Sequence, residues 1–329
     1  IGYFDPVPNT WHKMLDILLF WSSKGVDGFR CDMAEMVPAE FWGWATNRVK
    51  SKYSNIIFIG EVYNPSEYRN YISNGFDYLY DKVGMYDALR AVTRGEASAQ
   101  CITQNWQNVD DIREHMLYFL ENHDEQRFAS DFFGGDAHKT FAPLYVSLFL
   151  NTAPFMIYFG EETGERGMDE EGFSGCDGRT TIFDWWSVGS VRRLRKLIAS
   201  GAYKSTSVSA LVKGGLKKEE AEIFLKFSTA VRFAAEDEAV RMGTTYDLCY
   251  CNMSSDGFDK NRHYAFLRDY EDHTLLIAAN FSAHDAVMKL TIPEHAFEWM
   301  GIPITEDMHP GKVIEVTVPS MDGAVITLI

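Results

Sequence analysis

Three short strings end apolar runs in groups that can do acid–base chemistry. The first is Val26-Asp27-Gly28-Phe29-Arg30-Cys31-Asp32. Read as a strand, it points Gly28, Arg30 and Asp32 to one face and Phe29 and Cys31 to the other. An Arg and an Asp on the inner face of a buried strand are tolerated where they pair near its open end, and the guanidinium then keeps the carboxylate ionised. On these residues alone, a structural ion pair is the competing reading. The second string, Ile57-Phe58-Ile59-Gly60-Glu61, is apolar until Glu61 at its carboxyl end, where parallel-sheet enzymes place reactive groups.

One strand–helix–strand unit separates Asp32 from Glu61, so the two belong on adjacent strands. Neighbouring strands lie about 4.8 Å apart. That brings the carboxylates towards the roughly 5–5.5 Å of retaining glycosidases, whereas an inverting pair needs room for a water. Two carboxylates in one apolar site separate into an anionic nucleophile and a protonated acid. The third string, Phe119-Leu120-Glu121-Asn122-His123-Asp124, adds an imidazole and a further carboxylate. By itself it reads equally as a surface turn; arriving at the same sheet end as Asp32 and Glu61, it reads as part of a site. Tyr63, two residues beyond Glu61, is the aromatic best placed to touch a substrate.

The elements that position these groups alternate. Thr10 is placed to cap a helix with Trp11, Leu15, Leu18, Leu19 and Trp21 as apolar positions, and Gly25 ends it. Strands are expected at 26–32, 56–60, 76–80, 116–120 and 155–159, with helices from Pro38, from about Met85, from Thr140 and over 216–235. This alternation implies a parallel sheet, doubly wound or a (β/α)8 barrel. After about residue 238 the texture becomes short strands without helices, at 264–268, 274–280, 286–292, 313–318 and 324–328, which suggests a small antiparallel β-sandwich. The expected division is therefore 1–237 and 238–329.

The three strings resemble conserved regions of the α-amylase superfamily of glycoside hydrolases, in that family's order. The flanks resemble it too: Asn9-Thr10-Trp11, Phe76-Asp77, Tyr158-Phe159-Gly160-Glu161-Glu162 and Ala279-Asn280-Phe281-Ser282. The resemblance implies a retaining enzyme cleaving α-glucosidic bonds in starch-like or maltooligosaccharide substrates through a covalent glycosyl-enzyme intermediate. Asp32 would be the nucleophile, held anionic by Arg30, and Glu61 the general acid/base. Asp124 would grip sugar hydroxyls, with His123 stabilising the oxocarbenium-like transition state. The alternatives are a non-catalytic carbohydrate-binding or structural module and a glycosyltransferring member of the superfamily.

By the same resemblance, the strand bearing Arg30 and Asp32 corresponds to the family's fourth. The expected fold is thus a partial (β/α)8 TIM barrel, strands 4–8, followed by the sandwich. The chain opens at Ile1 without the segment that carries the first conserved region, so an amino-terminally incomplete form with reduced or no activity alone is expected. The chemistry requires no cofactor. Family members often carry a structural calcium, but the Lys-His that can follow the nucleophile, whose His contributes a calcium contact, is replaced by Glu35-Met36, and no metal ligands are identifiable.

Composition narrows the classes further. The 329 residues carry 31 Lys plus Arg against 47 Asp plus Glu, a formal net charge of −16 without a basic run, which repels nucleic acid and anionic membrane surfaces. The uncharged stretch 140–160 is long enough to span a bilayer, yet Asn151, Thr152 and Pro154 divide it into a helix end, a turn and a strand, so no membrane span is expected. Five scattered cysteines form no disulfide framework and, with Cys249-x-Cys251 lacking partner spacing, no zinc site; free, mostly buried thiols are expected. The stretch 160–178, rich in Gly164, Gly167, Asp169, Glu170, Glu171, Gly172, Gly175 and Asp177, misses EF-hand spacing and reads as a long loop overhanging the site. Trp185 and Trp186 are expected in the core, and Trp42, Trp44 and Tyr80 offer the same choice between core and sugar.

Overall fold

A computed structural model describes residues 5–167 and 176–329. Five parallel strands form its first layer, in the order β1-β2-β3-β4-β5. They are β1 (Gly28–Cys31), β2 (Ile57–Gly60), β3 (Tyr78–Tyr80), β4 (Met116–Phe119) and β5 (Phe155–Met156). The sheet curves through 188°, half of a closed barrel. Each connection carries helix: α1 (Asn9–Ser22) precedes β1, α2 (Ala39–Lys52) links β1 to β2, and α3 (Tyr68–Ser73) links β2 to β3. Two helices, α4 (Asp87–Thr93) and α5 (Gln100–Asn108), fill the next crossover, and α6 (Phe141–Phe149) the last. Beyond β5 come α7 (Gly189–Ser200), α8 (Val208–Lys213), α9 (Lys218–Glu236) and α10 (Glu238–Met242).

Short strands suit this arrangement, because strands covered on their faces read as apolar runs. All four residues of β4, Met-Leu-Tyr-Phe, are buried. Gly28 sits where a Cβ would meet Ile57 Cγ1 and its carbonyl oxygen at 2.5 Å, so only glycine allows β1 to lie against β2 there. The register pairs Cys31 with Gly60, which carries the next residue of each strand, Asp32 and Glu61, to the same sheet end.

The second layer is antiparallel. One sheet runs in the order β11-β8-β7-β6, built from β6 (Thr244–Asp247), β7 (His263–Tyr270), β8 (His273–Asn280) and β11 (Asp322–Thr327). A two-stranded sheet, β9 (Ala286–Thr291) with β10 (Val313–Val318), packs against it as the other face of a sandwich. Short helices α11 (Cys249–Asn252) and α12 (Glu294–Met300) interrupt the strands. Arg268 of β7, fully buried, donates to the carbonyls of Ala239 (3.0 Å) and Val240 (2.6 Å) and so ties the sandwich to α10.

Several expectations change. Thr10 is not the cap of α1: the helix starts at Asn9, Pro8 holds the N-cap position with extended backbone and no side-chain cap, and Thr10 already lies inside the first turn. Trp21 is half exposed while Leu15 and Leu18 are buried, so the apolar positions of α1 spread over more than one face. β5 is two residues long instead of five, since the chain turns away after Met156. Trp185 and Trp186 lie outside the core, 66% and 56% exposed, on a short turn after the last strand. Trp42 is buried and Trp44 half-buried against Trp11. Of the acidic loop, Asp169, Glu170, Glu171, Gly172 and Gly175 lie outside the described residues.

Of the five cysteines only Cys31 and Cys249 are buried, Cys101 and Cys251 are half-buried, and Cys176 is exposed, so fewer are buried than expected. Cys251 donates to the Leu248 carbonyl at 3.1 Å and Cys249 to that of Ala265 at 3.5 Å; burial pushes the Cys251 thiol up to about 11, so both behave as packing groups. No helix among the described residues is long and apolar enough to cross a membrane, and 140–160 resolves into a buried helix followed by a short strand.

Candidate active site

The guanidinium of Arg30 joins two carboxylates. Its Nη1 bonds Asp32 Oδ1, and its Nη2 lies 2.9 Å from Glu61 Oε2. Burial works against the Arg30 charge, but the bond to Asp32, contact with Tyr80 and attraction to Glu61 outweigh it, and its pKa lies above the ordinary arginine value. Tyr80, buried on β3, presents its ring 5.6 Å beneath the guanidinium.

The two carboxylates face different surroundings. Asp32 leaves the end of β1 with 74% of its side chain exposed, whereas Glu61 is 4% exposed. Glu61 is held at both oxygens: Oε1 accepts from the Tyr63 hydroxyl at 2.7 Å, and Oε2 from the Met33 backbone N–H at 2.8 Å. Met33 has φ 43°, a left-handed conformation unusual for a side chain of this size. That turn directs its N–H at Glu61, and local strain of about 1–3 kcal/mol is the kind found at functional sites. Burial first, and then the bond to Glu61, push the Tyr63 phenol up, so Tyr63 stays a neutral donor.

The third strand end carries His123 and Asp124, paired at 3.0 Å between Nε2 and Oδ2. Asn122 shapes the turn by accepting from the N–H groups of Asp124 and Glu125, both at 2.8 Å. Burial is the main cause that raises the Tyr63 and Tyr80 phenols, and the charge of Asp124 adds to it in both. Glu121, in the same string, turns the other way. It is fully buried against Arg127 at 2.7 Å and accepts the Phe128 N–H, anchoring the loop from below.

Arg30, Asp32, Glu61 and Tyr63 thus form one bonded group, with His123 and Asp124 as its neighbours. Sequence reasoning did not find Met33, whose part is played by its backbone, nor the contacts of Glu35. It did single out Glu35 as a departure from the family pattern, and that was the available signal. Among the described residues no group of three or more His, Cys, Asp or Glu is placed to hold a metal. The Glu35-Met36 position does not fit calcium: Glu35 Oε2 is engaged by the N–H groups of Tyr63 and Asn64, and Met36 is a 70% exposed thioether.

A curved parallel half-barrel with two carboxylates and an arginine at its strand ends has the layout in which barrels of this kind place their sites. The chain belongs to the alpha-amylase family: the family described as "Alpha amylase, catalytic domain" matches residues 7–263. Among curated relatives, neopullulanase 2 of Thermoactinomyces vulgaris is 26% identical over 170 residues, covering 49% of this chain and 28% of that protein. Alpha-amylase MalA of Haloarcula japonica is 33% identical over 174 residues, covering 51% and 24%. Among solved structures, an Anoxybacillus alpha-amylase superposes with a TM-score of 0.67 at 18% identity, covering 98% of this chain and 63% of its own. A cyclic alpha-maltosyl-(1→6)-maltose hydrolase from Arthrobacter globiformis, in complex with that sugar, gives 0.65 at 16% identity, covering 97% and 60%. The chain therefore spans about a quarter of these curated relatives and about three-fifths of these solved chains.

Proposed function

We propose that this chain carries the catalytic residues of a retaining glycosidase acting on α-glucosidic bonds of starch-like or maltooligosaccharide substrates. The observation that carries the reading is the single guanidinium spanning Asp32 and Glu61 on adjacent strands. In the first step an Asp32 oxygen bonds the anomeric carbon as the glycosidic C–O bond breaks, and Glu61 gives its proton to the departing oxygen. In the second, Glu61 takes a proton from water, whose oxygen displaces Asp32. Exposure of Asp32 suits a group that must reach substrate, while the buried Glu61 is oriented for proton transfer. The Tyr63 hydroxyl can donate to Glu61 as an anion and accept from it as an acid, so one pair serves both states. Asp124 and His123 would bind the hydroxyls of the distorted ring. Residues 1–237 would supply the catalytic segment and 238–329 the sandwich.

Reducing-sugar release from maltooligosaccharide by the full-length gene product tests this. Asp32→Asn should abolish it, and activity surviving that substitution would remove Asp32 from the nucleophile's role. A second reading is transfer to another sugar or to phosphate, favoured by an α-1,4-glucan:maltose-1-phosphate maltosyltransferase of Cereibacter sphaeroides that is 36% identical over 61 residues. Chromatography of the products in the presence of phosphate separates the two.

A further inference from the structure

Glu35 lies three residues beyond Asp32, on the single-turn helix Ala34–Met36, yet its carboxylate serves the other strand. Its Oε2 accepts from two successive backbone N–H groups, Tyr63 at 3.1 Å and Asn64 at 3.0 Å. Glu35 is itself anchored, because the Tyr71 hydroxyl donates to its carbonyl at 3.1 Å and to that of Val37 at 3.0 Å. The link continues from Tyr63, whose hydroxyl returns to Glu61 Oε1. In the opposite direction, the Ala34 N–H reaches the Glu61 carbonyl at 3.0 Å and the Met33 N–H reaches its side chain. The two strand-end loops therefore close a circuit: Glu35 to the Tyr63 backbone, Tyr63 to Glu61, Glu61 to Met33 and Ala34.

We infer that Glu35 is a positioning residue for Glu61, acting through Tyr63. The inference rests on the reading of Glu61 as the acid/base. Leaving the sheet after Gly60, the chain has two adjacent N–H groups without a strand partner, and a carboxylate is a strong acceptor for them. Glu35 thereby sets where the Tyr63 backbone begins and where its hydroxyl ends. A displacement of about 1 Å at that distance from the chemistry is enough to misalign proton transfer. The step affected is protonation of the departing oxygen, so the defect must depend on how much protonation the leaving group needs.

The test compares Glu35→Ala and Glu35→Gln in the full-length gene product, using maltooligosaccharide and an aryl α-glucoside whose phenol leaves readily. Glu35→Ala should lower kcat roughly tenfold on the oligosaccharide, part of the roughly 10²–10⁴ that general acid–base catalysis supplies, and much less on the activated glucoside. Glu35→Gln presents a carbonyl to the same two N–H groups and should restore most of the loss. Glu35→Ala and Tyr63→Phe should be non-additive when combined, because they cut one link. Equal losses on both substrates, no recovery with Gln, or additive losses would each overturn the inference. A Glu35→Ala protein that fails to fold leaves the Gln variant and the Tyr63→Phe substrate comparison to decide. If Glu61→Gln retains full activity on the oligosaccharide, the parent reading fails instead.

Discussion

Arg30 and Glu61 meet across neighbouring strands, with Nη2 2.9 Å from Oε2, while the other arm of the same guanidinium holds Asp32. A planar fork can reach two carboxylates on two strands at once. A lysine, a point charge on a flexible stem, cannot hold both in fixed geometry.

Arg30→Lys should therefore keep the fold and lose function. Its side chain is part exposed at the sheet end, so the thermal midpoint should change little. The loss in kcat/KM on oligosaccharide should be roughly 10²-fold, comparable to removing one preorganised donor. Steady-state kinetics beside a melting curve checks both halves, and wild-type kcat/KM in Arg30→Lys would show that the bridge is structural.

The loop carrying His123 and Asp124 depends on the Glu121–Arg127 pair beneath it. Arg127 also donates to Thr180 Oγ1 and to the Phe159 carbonyl, both at 2.9 Å, and is fully buried. Burial pushes the Glu121 carboxyl up, and the Arg127 charge opposes that shift. Arg127→Met strands the carboxylate without its partner and should cost about 3–5 kcal/mol, read by urea denaturation at neutral pH. Glu121→Gln combined with Arg127→Met should recover part of that, because no buried charge is left unpaired.

Asp81 supplies a pH dependence of stability. It is fully buried at the end of β3, accepts the Met85 N–H at 2.9 Å, and burial pushes its carboxyl up to about 6. The native state thus holds this proton more tightly than the unfolded chain, whose aspartate titrates near 3.9. The sign follows: the stabilising contribution is complete below about pH 4 and is lost as pH rises through about 6. Asp81→Asn keeps the acceptor for Met85 and removes the buried charge. It should be more stable than wild type by about 1–3 kcal/mol above pH 6, with the gain fading towards pH 4. Denaturation across that range checks the slope, and a gain that does not vary with pH would reject the assignment.

Much of the candidate site was legible before the fold was seen, for a local reason. Asp32 and Glu61 each follow the last residue of a strand, and alternation along the first strand places Arg30 on the same face as Asp32. The register pairing Cys31 with Gly60 then brings the two carboxylates to one end of the sheet. The short strings at 26–32, 57–61 and 119–124 also carried the family, because their order along the chain is itself information. The exposure of Trp185 and Trp186 was not legible: two adjacent large aromatics resemble core until the turn holding them is known to face outward.

Residue types and their period thus determined which groups stand at strand ends, the sheet's parallel sense and the change to antiparallel structure in the last third, while the family was carried by the resemblance of the short strings. Only the tertiary structure decided what those groups touch. The carboxylate of Glu35 meets N–H groups 28 and 29 positions away. Tyr63 bends back on Glu61 instead of reaching outward alone, and Glu121 turns from the site to a buried arginine. Periodicity reports the face a side chain occupies, which is a property of its own backbone. A partner is set by how separate loops pack, and that is decided when the strands and helices assemble around their core.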